Sequence, residues 1–237
     1  MLLEHLPLTM PDPQAVQSMF ARIAGRYDLL NRTLSMGIDQ RWRRRVLAEA
    51  GALDGASVVD LCCGTGDLAL LFGAAGARVV GADFTFEMVA RAPGKRAAEQ
   101  QAVFVQGDAL ALPVGDDHVD VASVAFGIRN VADRRACMRE MRRVVRPGGR
   151  VLILEFTTPR GRIFGAAYKA YFTRILPRIG GMVSGDRGAY EYLPATVMAW
   201  PSPQELADEM EAEGLTNVRF ERLSGGIACL HVADVPH

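Results

Sequence analysis

The residues best placed to do chemistry in this chain are carboxylates at the ends of apolar runs and the glycines beside the first of them. Ser57 to Asp67 reads SVVDLCCGTGD: Val58, Val59 and Leu61 flank Asp60, the Gly64-Thr65-Gly66 turn breaks the run, and Asp67 closes it. A helical pattern follows, with Leu68, Leu71 and Phe72 at i, i+3 and i+4. A strand, a glycine turn and a helix start in succession present free backbone N–H groups and the positive end of a helix dipole to a ligand. Asp83 ends the next apolar run, Val79-Val80-Gly81-Ala82, where a nucleotide site wants an acid for its ribose. Gly64-x-Gly66-x-x-Ala69 together with Asp83 also satisfies the loose dinucleotide fingerprint, and a tight turn without a ligand leaves the same trace.

These residues need a frame that brings strand ends together. From Ser57 onward strand and helix patterns alternate: Val58 to Cys62, Leu68 to Ala75, Arg78 to Ala82, Phe86 to Arg91, Val103 to Gln106, Val119 to Ala125, Arg134 to Val145 and Arg150 to Phe156. Such alternation predicts an α/β fold, a parallel sheet with crossover helices, whose ligands sit beyond the carboxyl ends of the strands. Gly107-Asp108-Ala109 follows the third strand and Gly127-Ile128-Arg129-Asn130 the fourth, so both join the set. Arg146-Pro147-Gly148-Gly149 reads as a structural turn before the fifth strand.

The flanking segments differ in character. Pro13 to Asn31 carries a helical stripe of Val16, Met19, Phe20, Ile23 and Ala24; Leu29 to Gly37 is a helix or turn; and Asp39, a plausible N-cap, opens a helix containing the charge run Arg41, Arg43, Arg44 and Arg45. That run reads first as a solvated face, with contact to anionic lipid or a partner as its functional alternative. Between Arg160 and Asp186 aromatic residues interleave with Arg162, Lys169, Arg174 and Arg178, an insertion over the sheet that doubles as a candidate interfacial helix. A helix after Ser202 and a hairpin, Val218 to Leu223 with Ile227 to Val232, close the chain.

Composition narrows the classes. With 237 residues and 49% hydrophobic content one domain is expected, 1–237, with an N-terminal helical cover over 1–50 and an inserted cap over 160–200. Lys+Arg and Asp+Glu are 27 each, so no global basic field gathers nucleic acid. Cys62, Cys63, Cys137 and Cys229 lack metal-ligand spacing, which gives no metal site and suits free thiols in a reducing, cytoplasmic setting. The N-terminus reads as neither signal peptide nor span. A homo-oligomer is compatible with all of this.

Taken together, DLCCGTGD after the first strand, an acid after the second, Gly-Asp-Ala after the third, RPGG before the fifth and the closing hairpin resemble class I S-adenosylmethionine-dependent methyltransferases. More narrowly the chain resembles the quinone-biosynthesis C-methyltransferases acting on demethylmenaquinol and on 2-polyprenyl-6-methoxy-1,4-benzoquinol, through RYDLLNRTLSMGIDQRWRR, AFGIRNV, LEFTTP, YKAYFTRILPRIGGMVSGD, AYEYLPAT and GGIACLH. The resemblance runs almost end to end. It implies a Rossmann-like, doubly wound, mostly parallel seven-stranded sheet with a terminal antiparallel hairpin, and S-adenosyl-L-methionine as cofactor. Departures from the family pattern are Asp39 where many members have His, Ala195 and Thr196 where they have Glu and Ser, and Trp200-Pro201 where they have Phe-Pro.

The resemblance also implies roles. Asp60, Gly64, Thr65, Gly66, Asp83, Asp108 and Ala109 would hold the cofactor: Gly64 and Gly66 by letting the backbone approach its methionyl end, Asp83 by accepting from both ribose hydroxyls, and Asp108 with the Ala109 N–H at the adenine. Arg129 and Asn130 would face the acceptor, where a guanidinium stabilises a developing phenolate and an amide orients it. Asp39 is a candidate base. The acceptor expected is a polyprenyl quinol, demethylmenaquinol ahead of the benzoquinol, reached from the inner face of a membrane by peripheral contact. Other readings are a methyltransferase for another small molecule, a nicotinamide-dependent oxidoreductase and a catalytically dead cofactor-binding protein.

Overall fold

The protein is described from a computed structural model covering residues 12–95, 101–159, 161, 165, 168, 170–175 and 187–237. Of the aromatic and basic residues that suggested an interfacial helix, Arg162, Phe164, Lys169 and Arg178 lie outside these residues.

Three helices precede the sheet: α1 (Pro13–Ile23), α2 (Tyr27–Leu34) and α3 (Ile38–Glu49). Asp12 caps α1 by accepting from the Gln14 N–H, with proline in the first turn, and the helix lays buried Met19 and Ile23 against Met88, Phe172 and Val197. The helical stripe from Pro13 ends, as its sequence indicates, at the Gly25-Arg26 turn, after which α2 begins at Tyr27. The N-cap of α3 is Gly37 at φ +74°, not Asp39, which sits in the first turn with its side chain committed elsewhere. Trp42 on α3 is buried and donates from Nε1 to Ser224 Oγ at 2.9 Å, fixing this cover to the last turn of the fold.

The sheet is built from β1 (Ser57–Leu61), β2 (Arg78–Asp83), β3 (Ala102–Gln106), β4 (Val119–Ala125), β5 (Val145–Phe156), β6 (Thr216–Leu223) and β7 (Ala228–Asp234) in the order β3-β2-β1-β4-β5-β7-β6. β1 to β5 pair in parallel, whereas β7 runs antiparallel to both β5 and β6. The chain therefore winds outward twice from β1, and the topological switch lies between β1 and β4, where the ends of both strands open to a ligand. The Arg146 to Gly149 turn falls inside the span of β5: Val145 pairs with Val119 and Arg150 with Val121, and a register shift absorbs the residues between.

Helices cover both faces. α4 (Asp67–Ala74), α5 (Phe86–Val89) and α6 (Arg134–Val144) are the crossovers, and α7 (Arg187–Met198) and α8 (Pro203–Ala212) precede the hairpin. One apolar layer joins Leu61, Ile153, Met138, Met141, Leu206 and Met210 between the sheet, α6 and α8; the other joins Val58, Leu152, Leu68, Phe72, Trp42 and Val46 between the sheet, α3 and α4. Ser202 and Glu205 form a reciprocal capping box on α8. Among the described residues no helix is long and apolar enough to cross a membrane.

Candidate active site

Two cavities meet at the carboxyl edge of the strands. The first is lined by Gly64, Asp83, Phe84, Asp108, Ala109 and Asn130, with α1 closing over it through Val16 and Phe20. The second, about 300 Å³, is lined by Asp39, Arg43, Arg129, Phe156, Tyr168 and Tyr192. Phe20, Tyr27 and Phe126 line both, so the two cavities adjoin at these rings.

In the first cavity the Asp83 carboxylate is held by the backbone. Its Oδ2 accepts from the Gly64 N–H and its Oδ1 from the Thr85 N–H, both at 2.8 Å. Burial raises its pKa, and these two bonds work against that rise. The Thr85 side chain bonds to it as well, and the remaining lone-pair capacity of the carboxylate is open to a ligand hydroxyl. Gly64 has φ +57°, and a Cβ there would meet nothing closer than the Tyr27 ring at 3.8 Å, so the missing side chain leaves room on the cavity side of the turn. Asp108 Oδ1 accepts from the Leu110 N–H at 2.9 Å, and Asp108 and buried Ala109 form the wall opposite the turn.

Three residues assigned to this cavity are turned away from it. Asp60 is 1% exposed, with Oδ1 accepting from Ser123 Oγ at 2.7 Å and the carboxylate also taking the Ala69 N–H, so it ties β1 to β4 and to the start of α4. Burial pushes its pKa up to about 7. Thr65 is buried and donates to Asp28 Oδ1 on α2, while Lys95 Nζ donates to Thr65 Oγ1, Asp28 and Asp67. This cluster fastens the N-terminal cover to the turn. Gly66 makes room for packing rather than for a ligand: a Cβ would lie 2.8 Å from the Phe104 ring.

The neighbouring cysteines are packing groups. The thiols of Cys62 and Cys63 are raised well above their usual range by burial, with the Asp83 charge adding to it, so neither is a thiolate nucleophile. All four cysteines are free, and no metal-binding cluster occurs among the described residues.

The second cavity holds two guanidinium–carboxylate pairs. Arg129 donates from Nη1 to Glu155 Oε1 and to the Phe126 carbonyl, each at 2.6 Å, with Glu155 fully buried at the end of β5. Burial raises the pKa of Glu155 and the Arg129 charge opposes it. Asn130 Oδ1 accepts from the Tyr192 hydroxyl at 3.1 Å, linking the first cavity to α7. Asp39, buried, accepts from Ser35 Oγ at 2.8 Å and Gln40 Nε2 at 3.2 Å and faces Arg43 Nε at 3.7 Å. The arginine run is thus split: Arg43 turns inward, Arg45 pairs with Glu49 and Glu221, and Arg41 and Arg44 are exposed.

Tyr27 and Tyr192 line these cavities and Glu155 holds Arg129, and the sequence reading assigned none of the three a role. Glu155 sits in a run that reads as strand, and the only sign of its role is an acid at a register position where every neighbour is apolar.

The sequence pattern of the ubiE/COQ5 methyltransferase family matches residues 9–234. A protein of Thermus thermophilus named demethylmenaquinone methyltransferase is 49% identical over 221 residues, covering 92% of this chain and all of that protein. One of the same name from Deinococcus radiodurans is 48% identical, covering 93% of this chain and 92% of its own. In fold, the chain is similar to a SAM-dependent methyltransferase from Aquifex aeolicus (TM-score 0.60, 18% identity, 94% of this chain and 98% of that one). It is similar too to a Haemonchus contortus phosphoethanolamine N-methyltransferase in complex with S-adenosyl-L-methionine (TM-score 0.60, 14% identity, 89% of this chain and 60% of that one). With two cavities meeting at the strand ends and this extent of sequence agreement, the chain belongs to the ubiE/COQ5 methyltransferase family.

Proposed function

We propose that the protein transfers a methyl group from S-adenosylmethionine to a ring carbon of demethylmenaquinol. The observation that carries the reading is the pair of cavities sharing Phe20, Tyr27 and Phe126: one has the acid and glycine turn of a nucleoside site, the other is apolar with buried arginines. The relatives named for demethylmenaquinone methylation support the naphthoquinol over the benzoquinol.

The residues present fit the cofactor. Asp83 would accept from its ribose hydroxyls, the room beside Gly64 would take its amino-acid end, and Asp108 with Ala109 would receive the adenine. When bound, S-adenosylmethionine supplies an electrophilic methyl group on a sulfonium sulfur. Arg129, locked by Glu155 and the Phe126 carbonyl, stands beside the reacting quinol oxygen and favours its ionisation to water, because an adjacent positive charge stabilises the phenolate. Phenolate charge shared with the adjacent ring carbon would make that carbon the nucleophile; its new bond to the methyl carbon would form as the methyl–sulfur bond breaks and S-adenosylhomocysteine leaves, and loss of the ring hydrogen as a proton to water would restore the aromatic ring. Asn130, held by Tyr192, orients the same oxygen. Asp39, already engaged by Ser35 and Gln40, is assigned to Arg43 rather than to proton removal. Holding acceptor and donor in contact where the two cavities adjoin supplies up to roughly 7–11 kcal/mol of the barrier reduction in favourable cases.

Ionisation needs a hydroxyl, so the reduced acceptor must be the substrate. Labelled methyl should pass to a short-chain demethylnaphthoquinol under dithionite and not to the same compound kept oxidised; equal labelling of both would sink this mechanism.

Peripheral membrane contact is part of the same proposal. Met36 and Leu29 are 81% and 61% exposed, and Met36 also lines the acceptor cavity, so its mouth carries apolar groups beside exposed Arg41 and Arg44. Flotation with vesicles containing anionic lipid should show binding that weakens as salt rises. A protein left entirely at the bottom of the gradient at low salt would remove this part of the proposal.

A further inference from the structure

The acceptor cavity has an organised floor. The Phe126 and Phe156 rings stack with centroids 4.4 Å apart and planes inclined at 31°. Arg43 places its guanidinium carbon 5.4 Å from the Phe126 centroid, and Arg129 does the same at 5.5 Å from Phe156. Both distances are within cation–π range. Each guanidinium is backed by a buried carboxylate, Asp39 for Arg43 and Glu155 for Arg129.

The two ends differ in how far their hydrogen bonding is satisfied. Arg129 bonds Glu155 directly, whereas Arg43 stands 3.7 Å from Asp39, beyond hydrogen-bond reach. Arg43 Nε and Arg129 Nε are both buried without a hydrogen-bond partner, as is the Tyr168 hydroxyl on the same cavity. Buried donors left unpaired are costly, and several of them around one cavity point to a ligand with polar atoms at more than one place.

We infer that Arg43 is an acceptor-binding residue that receives the second, non-reacting oxygen of the quinol, para to the oxygen held at Arg129, with the ring lying over Phe126 and Phe156. This inference rests on the proposed quinol reading and adds to it the means of orientation. A 1,4-quinol has two chemically similar oxygens, and only one orientation presents the unsubstituted ring carbon to the methyl donor. Both guanidiniums line the acceptor cavity, but Arg129 adjoins Asn130, a residue of the cofactor cavity, while Arg43 stands apart on α3. The Arg129 end is therefore the reacting end, and Arg43 marks the far end.

The test compares a short-chain demethylnaphthoquinol with the matching 1-naphthol that lacks the far hydroxyl, at saturating S-adenosylmethionine. Wild-type protein should bind the diol about tenfold or more tightly than the mono-ol, as expected for one hydrogen bond to a charged partner. Arg43→Met should lower kcat/KM for the diol, through KM, far more than for the mono-ol, so that the preference collapses; Arg43→Lys should restore part of it. S-adenosylhomocysteine affinity and melting temperature serve as folding controls. An unchanged diol preference in Arg43→Met overturns the inference, and so does wild-type protein that binds both acceptors equally in a competition assay, which needs no variant. Methylation of neither acceptor by the wild type is the distinct result that defeats the quinol reading itself.

Discussion

Arg129→Gln in a Glu155→Gln background is expected to lose about 10²–10³-fold in kcat, the range seen when one preorganised donor to a developing anion is removed. S-adenosylhomocysteine should still bind it as it binds wild type. The pairing of the two changes matters. Arg129 and Glu155 are joined at 2.6 Å with side chains 7% and 0% exposed, so removing Arg129 alone would leave a buried carboxylate with no counter-charge. Such a break costs about 3–5 kcal/mol and would confuse a folding loss with a catalytic one. The double change keeps the site neutral and deletes only the charge that faces the phenolate. Arg129→Lys separates charge from geometry: an ammonium keeps the positive charge but not the fork that reaches Glu155 and the Phe126 carbonyl together, so activity between the two is the expected order. A double variant with wild-type kcat would take Arg129 out of the chemistry.

Asp83→Ala should weaken S-adenosylmethionine and S-adenosylhomocysteine alike by about 10²-fold or more, read by calorimetry, with the acceptor KM little changed at saturating cofactor. The variant loses the acceptor for the ribose hydroxyls, and the Gly64 and Thr85 N–H groups it held are left without their partner. Asp83→Asn should fall between, since one amide oxygen still accepts. A pH effect has the same origin. Burial raises the pKa of Asp83 in the free protein, so cofactor affinity should start to fall with acidification above the ordinary aspartate range. Affinity unaltered in Asp83→Ala would move the nucleoside elsewhere.

The sheet was legible because its signals are local. Runs such as Val119 to Ala125 are apolar and bounded by turns, and the acids at their ends, Asp83 and Asp108, fall at strand ends wherever the exact boundary lies. The glycine turn was legible too, but not the division of labour within it. Gly64 opens on the cavity while Gly66 clears the Phe104 ring, a residue of β3 that only the folded sheet brings there. Thr65 was drawn off by Asp28 and Lys95, distant in sequence and equally ordinary in type.

Arg43 is the instructive miss. In a run of arginines, composition says solvent, yet Asp39, Arg43 and Val46 recur at i, i+4 and i+7 on the helix face that carries buried Trp42. The sequence reading followed composition and left Arg43 with the solvated face, whereas the period sets it inward. Glu155 gave less warning, because a lone acid in a strand has no period to betray it, and its partner Arg129 lies 26 residues away.

The most direct measurement is transfer of labelled methyl from S-adenosylmethionine to reduced demethylnaphthoquinol and to the reduced benzoquinol in parallel, with the product's label position fixed by NMR. The expected result is label on the ring carbon beside a hydroxyl of the naphthoquinol, one S-adenosylhomocysteine formed per methyl, and slower labelling of the benzoquinol. Label on a quinol oxygen, or label in neither acceptor, would contradict methyl transfer to carbon where the two cavities adjoin at Phe20, Tyr27 and Phe126.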